Sequence, residues 1–423
     1  MSPASAALHR RPAAPSRPPG RRLHPHRTVV GAAVLLLVAA CVVVPRLLAP
    51  DRPTTVCAQD ALQERALLDL QQFASWLREY RVAGFVGEVG WPGGPSVSDA
   101  DSARWNALAE QWFTAADRMR LPVAAWAAGP WPGSYPLAVD RAAPGSRTLT
   151  IAGPQAAVLA RHTGPLRGVS AADGSFGTST ADFSATDPGA YGRAYGYEGD
   201  ADDAFLAAQG VTLLRLPVSW ERLQPVPMGP LAPAEVARLR DAVSAAQNHG
   251  LHVLLDLHGY GAFRVAPGRT LLLGSAQLPA GALADLWSRL VPALPPMYGY
   301  DLLNEPSRLA VKGQAAQLLW QAASQQAVDA IRRAGGTGVV VVGRYARMGP
   351  GDWGTAQPRP WIVDPRGRVA YDAHAYFDSD GSGRYASSYT GELTLAQHSA
   401  RQIPGCLGLN LFAPSSAVDR TLP

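Results

Sequence analysis

The chain reads as an α/β protein of the (β/α)8 TIM barrel class, and two observations predict it. Eight short apolar runs recur between residues 82 and 373, most of them separated by segments whose apolar residues keep helical spacing. Almost every run ends on a polar or aromatic side chain. Strict alternation of the two periodicities argues for a parallel sheet covered by helices. Eight such units in about 350 residues fit a closed barrel. A doubly wound open sheet has the same spacing and stands as the alternative; no Gly-x-Gly-x-x-Gly follows a strand.

The elements follow in order. Leu62, Ala66, Leu70, Phe73 and Leu77 predict a helix over 58–80, and Val82–Val89 a buried strand. Trp105, Leu108, Trp112 and Met119 form the next helical stripe, before a strand at Pro122–Trp126. A weaker helix over Thr150–His162 precedes a strand at Leu166–Ala171, and a helix at Asp202–Gln209 precedes Val211–Leu216. Helix Ala234–His249 stops at Gly250 and strand Leu251–Leu257 follows at once. Helix Ala280–Leu294 leads to Met297–Leu303, helix Gly313–Ala334 to Val339–Val342, and the last strand is Val369–Ala373.

The formal charge of +5 belongs to the N-terminus. Residues 1–50 hold seven Arg (10, 11, 17, 21, 22, 27 and 46) and no acid, so residues 51–423 carry 31 basic against 33 acidic side chains. No basic stripe points to nucleic acid. Residues 1–28 form a basic tail rich in Pro and Ala, expected to be disordered and cytoplasmic. Val29–Val44 is apolar apart from Gly31 and extends to Ala49 if Pro45 and Arg46 are tolerated. A spanning helix needs about 20 residues, so 29–49 is expected to be a transmembrane signal anchor. The excess of Arg before it places the rest of the chain outside the cell membrane. A cleaved signal peptide, giving a secreted protein, is a second reading. A lipoprotein is a third: Val38-Ala39-Ala40-Cys41 resembles a lipobox, although Val42–Val44 is unusually apolar for what would follow. Residues 58–406 would form the barrel and 407–423 a tail.

In a parallel barrel, chemistry sits at the C-terminal strand ends. Those ends carry Glu88, Trp126, Arg215, His258, Asn304, Glu305, His374 and Tyr376. Two glutamates on separate strands suit glycosidic bond cleavage, in which one carboxyl protonates the leaving oxygen and the other attacks or activates water. No metal site is evident, since His249 and His252 span a helix end and a strand; this chemistry needs no cofactor.

Asp301-Leu302-Leu303-Asn304-Glu305-Pro306 resembles the acid/base strand of glycoside hydrolase family 5, the group of many endo-β-1,4-glucanases. Leu214–Trp220, Leu255–Tyr260 and Tyr371–Gly383 resemble that family's second, third and sixth strands. Gly84–Gly90 and Ala124–Gly129 resemble its seventh and eighth, yet here they come first in the chain. The resemblance therefore implies a circularly permuted barrel, opened between strand six and the helix leading to strand seven. A Cys57–Cys406 disulfide would tie the new ends together in an oxidising compartment.

The resemblance also implies roles. Glu305 is the expected acid/base, its pKa raised, and Glu88 the nucleophile. Asn304 is expected on the sugar 2-hydroxyl, Arg215 and Tyr376 on Glu88, and His258 and His374 on the sugar and carboxylates. Trp126 is the expected sugar platform. Trp91, Trp131 and Trp220 are further candidates, for which core burial is an equal reading. The implied function is a retaining β-glucanase, cellulase-like and monomeric, with a polysaccharide substrate. A mannanase, β-1,3-glucanase or transglycosylase of the same fold is an alternative, as is a membrane-anchored glycan-binding pseudoenzyme.

Overall fold

The computed structural model describes residues 61–401 except 163, 165 and 347. The apolar segment 29–49, the tails at 1–28 and 407–423, and Cys41, Cys57 and Cys406 lie outside the described residues. No helix among the described residues is long and apolar enough to cross a membrane.

Eight parallel strands close on themselves: β1 (Ala83–Gly90), β2 (Val123–Gly129), β5 (Arg167–Ala171), β6 (Leu213–Val218), β7 (His252–Leu257), β10 (Gly299–Asp301), β11 (Val339–Gly343) and β12 (Val369–Tyr376), which returns to β1. Chain order is barrel order throughout. The outer layer is α1 (Ala61–Tyr80), α2 (Asp99–Arg118), α3 (Ala156–Arg161), α4 (Asp200–Ala208), α6 (Pro233–Asn248), α7 (Gly281–Ala293), α8 (Gly313–Arg333) and α10 (Tyr389–Arg401), with single turns α5 (Trp220–Leu223) and α9 (Trp353–Ala356) in loops. Their starts follow local chemistry. Ser98 caps α2 by accepting from the Asp101 N–H, with Asp99 and Asp101 favourable at the positive end of the helix dipole. Pro233 opens α6, where its missing N–H costs nothing.

The barrel interior is layered by the two-residue period of strands. Phe85, Ala124, Leu213, Leu254, Val341 and Ala370 form an apolar plug separate from the main core. Two residues further along the strands come Gly87, Trp126, Arg215, Asp256, Gly343 and Asp372, a layer that is largely polar. The intervening residues, such as Val86, Ala125, Leu214 and Leu255, face the helices and belong to the main core. One break in this alternation matters. The β1–β12 register shifts between Val86 and Glu88, so that Glu88 pairs with His374. Gly87 sits at the shift, and its N–H donates to Asp372 Oδ1 at 2.6 Å. A Cβ there would meet Asp372 Oδ2 at 2.5 Å, so the bulge requires glycine.

Two expectations need correction, and some elements were not expected. Thr150–His162 is not one helix: Leu149–Ala152 is strand β4, antiparallel to β3 (Asp140–Ala142), and helix begins only at Ala156. Gly153-Pro154 interrupts the run, because proline disfavours helix in the residue before it. Within Met297–Leu303 only Gly299–Asp301 pairs as strand on both sides. The hairpin β8 (Ala262–Ala266) and β9 (Arg269–Leu272), which lies outside the barrel, and the helix α10 had no counterpart in the sequence reading.

Candidate active site

Every site residue expected from the strand ends lies at one end of the barrel. Glu88, Trp126, His258, Glu305 and Tyr376 line a single cleft of about 190 Å³. Glu88 is 4% exposed. Arg215 Nη1 donates to its Oε1 at 3.0 Å and the Tyr376 hydroxyl to its Oε2 at 2.6 Å. Burial, and then the charge of Glu88, hold the Tyr376 phenol well above its ordinary pKa, so it remains a neutral donor.

His374 stands between the two glutamates. Its Nδ1 lies 2.9 Å from Glu305 Oε1 and 3.5 Å from Glu88 Oε2, and its Nε2 lies 3.4 Å from Asp372 Oδ2. Burial opposes a charge on the ring, but the carboxylates of Glu88, Asp372 and Glu305 push its pKa well above the usual histidine range. These carboxylates favour the protonated ring, whose Nδ1–H donates to Glu305. The expected raised pKa of Glu305 is not found. Burial works in that direction, but the hydrogen bond from His374 and the electrostatic pull of His374, His258 and Arg215 prevail, and its pKa is lowered. Glu305 also has φ +39°, a left-handed conformation that costs a residue with a side chain on the order of 1–3 kcal/mol and is retained mostly at functional positions.

Under the glutamates lies a charged layer of which the sequence reading assigned only Arg215. Arg215 is fully buried. Its Nε and Nη2 fork onto Asp301 Oδ2 at 3.0 and 2.9 Å, and Nη2 also lies 3.1 Å from Asp256 Oδ2 and 2.8 Å from Asn304 Oδ1. Burial raises the pKa of Asp301 well above the carboxylate range; Arg215 opposes this, and Asp256 and Asp372 add to it. Asp256 Oδ2 in turn lies 2.7 Å from His258 Nδ1, which fixes the ring. The signal was legible: Asp256 precedes His258, and Asp372 precedes His374, by two positions on one strand face.

The candidate aromatic platforms divide. Trp126 is half-buried on the cleft wall, its ring stacked on His258 at 5.5 Å and its Nε1–H donating to the Tyr135 hydroxyl at 2.7 Å. Trp131 packs on Tyr135 at 4.0 Å, one step behind the cleft. Trp91 and Trp220 are not platforms. They are 1% and 0% exposed, and Asn106 and Gln224 accept their indole N–H groups within the core. Tyr135, Leu137, Tyr260, Ser382 and Gly383 complete the cleft and had no role assigned from the sequence, because they sit on loops with no periodicity to mark them.

Glu88, Glu305 and His374 each bring one donor atom to within 4.8 Å of the other two. Among the described residues, this cluster has the spacing to grip a cation once His374 gives up its proton, which the sequence did not signal.

The sequence model of the cellulase family (glycosyl hydrolase family 5) matches residues 169–404. The chain belongs to that family of glycoside hydrolases. It is 28% identical over 211 residues to the manganese dependent endoglucanase Eg5A of Phanerodontia chrysosporium, covering 45% of this chain and 49% of that protein. It is 25% identical over 204 residues to endoglucanase EG-II of Hypocrea jecorina, covering 45% of each. The chain thus spans about half the length of the curated relatives it matches. The crystal structure of Pseudomonas stutzeri endoglucanase Cel5A aligns with 31% identity and a TM-score of 0.45, over 52% of this chain and 64% of that one.

Proposed function

We propose that this protein is a retaining β-glucanase acting on a β-1,4-linked glucan by double displacement. The observation that carries the reading is the convergence of Glu88 and Glu305, with one oxygen of each inside the 4.8 Å cluster. Retaining glycosidases hold their carboxyls about 5–5.5 Å apart, and inverting ones need roughly 6.5–9.5 Å to admit a water between acid and base.

In the first step a Glu88 oxygen bonds the anomeric carbon, the carbon–oxygen bond to the leaving sugar breaks, and Glu305 delivers a proton to that oxygen. In the second, water bonds the same carbon, the ester to Glu88 breaks, and the water proton passes to Glu305. Arg215 and Tyr376 orient Glu88. The resting proton sits on His374 Nδ1, within an existing hydrogen bond to Glu305, and covering the cleft with substrate favours its transfer to the carboxylate. Trp126 offers an apolar face to the sugar and Asn304 an amide to its 2-hydroxyl. Time-resolved NMR of cello-oligosaccharide hydrolysis tests the reading. The β-anomer appears first; initial release of the α-anomer overturns the role of Glu88.

A titration follows from the shared proton. His374→Asn keeps an N–H toward Glu305 and removes the charge. The basic limb of kcat/KM is then expected to move to lower pH. In the wild type the proton leaves the pair only as pH rises through the raised histidine pKa, whereas in the variant a lone carboxyl must hold it. An unmoved limb would place the proton elsewhere.

The order of the strands is read the same way. The family match begins at residue 169, inside β5, and leaves β1 and β2 ahead of it although they complete the barrel and carry Glu88 and Trp126. This supports a circularly permuted family 5 barrel in which family strands seven and eight come first. Export across a membrane through residues 29–49, with a Cys57–Cys406 bridge, remains a proposal drawn from the sequence alone.

A further inference from the structure

Beside the catalytic cleft lies a larger concavity, of about 580 Å³ against 190 Å³. It is formed between the loop after β1 with the start of α2 and the hairpin β3–β4. These segments follow the C-terminal ends of β1 and β2, the ends that carry Glu88 and Trp126. Tyr135 lines both spaces, and its hydroxyl accepts from Trp126 at 2.7 Å. The two are thus neighbours across one side chain that the cleft itself holds in place.

The lining has the character of a saccharide site. Ligand sites are mostly pre-formed concavities of about 300–1,000 Å³, with apolar walls and a few placed polar groups. The larger space falls in that range and the catalytic cleft does not, so a glycan longer than the cleft can hold must rest on something beside it. Ile151 and Tyr135 supply apolar surface, and Asn106 is fixed by accepting the Trp91 N–H at 2.8 Å. Arg141 lines the groove half-buried, and among the described residues its side chain has no hydrogen bond or ion pair. Its guanidinium offers five N–H donors. Asp99 lines the same groove, so one positive and one negative group face it and a neutral, hydroxyl-rich ligand fits better than an anionic one.

We propose that this groove is a distal binding region for further sugar units of the same glycan chain, entered across Tyr135, with Arg141 as its polar anchor. The proposal rests on the glucanase reading and deepens it: the enzyme favours chains long enough to reach the groove.

The test uses the full chain and two substitutions on opposite walls. Arg141→Ala removes the donors, and Ala103→Trp, at an exposed position of α2 lining the groove, fills the space. The readout is the ratio of kcat/KM for the β-1,4-glucose hexamer to that for the trimer, which is internally normalised and so insensitive to any inactive fraction. A hydrogen bond to a charged group is worth about 1.5–3 kcal/mol, so the ratio is expected to fall by roughly tenfold or more in Arg141→Ala, and to fall as well in Ala103→Trp, whose indole occupies the groove. Ratios within twofold of wild type in both variants overturn the groove and leave the glucanase reading intact. Should the wild type cleave neither oligosaccharide, the glucanase reading fails first. Hexamer binding to Glu305→Gln protein, with and without Arg141→Ala, then decides the groove: unchanged or absent binding overturns it.

Discussion

Replacing Glu88 with Ala is expected to reduce turnover to background on every glycoside, whereas Glu305→Ala is expected to spare substrates with good leaving groups. The asymmetry comes from the two steps. Without Glu88 no oxygen lies behind the anomeric carbon to receive it, and no improvement in the leaving group helps. Without Glu305 only the proton is missing. General acid catalysis is worth about 10²–10⁴ in rate, so a glucan or an alkyl glycoside suffers that loss, while a dinitrophenyl cellobioside, whose leaving anion needs no proton, still forms the ester on Glu88. In that variant azide, a small nucleophile that needs no general base, accelerates turnover and yields a β-glycosyl azide. In Glu88→Ala azide can occupy the vacated face and yields the α-product. Rates on both substrates and the anomeric configuration of the azides check the assignment. Equal losses with no azide product from either variant would falsify it.

How much of this was legible in the sequence follows from the layers of the barrel. Residues at strand ends were readable because a buried apolar run that stops on Glu88, His258 or Asn304 has few structural reasons to do so. Period-two alternation also contained Asp256 and Asp372, two positions before the ligand-facing residues, but a single aspartate inside an apolar run carries no sign of what neutralises it. That depends on Arg215, which comes from another strand. The bulge at Gly87 was hidden for a different reason. Strict alternation from the plug residue Phe85 would turn Val89 inward, and only the carboxylate of Asp372, nearly three hundred positions away, selects the register that turns Glu88 in. The protonation of the pair Glu305–His374 was misjudged for the same cause, since the sequence places a glutamate in a barrel mouth but not a cation at 2.9 Å from it. Trp91 and Trp220 show the converse: tryptophan near the cleft is still mostly core.

Arg215→Met is expected to be the most destabilising single change in the site, and its effect should depend on pH. The side chain is fully buried and pairs with Glu88, Asp256 and Asp301 at 2.9–3.1 Å. Methionine has a similar reach but no charge, so three buried carboxylates lose their shared cation. Removing one partner of a buried ion pair costs about 3–5 kcal/mol. For a domain of this size each kilocalorie lowers Tm by roughly 2–4 °C, so a loss on the order of 10 °C is expected by calorimetry near neutral pH. The sign of the pH dependence separates this cause from a packing defect. Without Arg215 the folded-state pKa of Asp301, already raised by burial and held down by that cation, rises further above its unfolded value. The folded variant then holds more protons than its unfolded chain, and its stability falls as pH climbs above about 4. The gap to wild type should accordingly narrow as pH is lowered toward that value, and it should narrow at neutral pH when Asp301→Asn is added, since Arg215 forks onto Asp301 Oδ2. A deficit that is the same at every pH, and additive with Asp301→Asn, would mean that Arg215 acts by filling space, and that the orientation of Glu88 does not depend on the charge held beneath it.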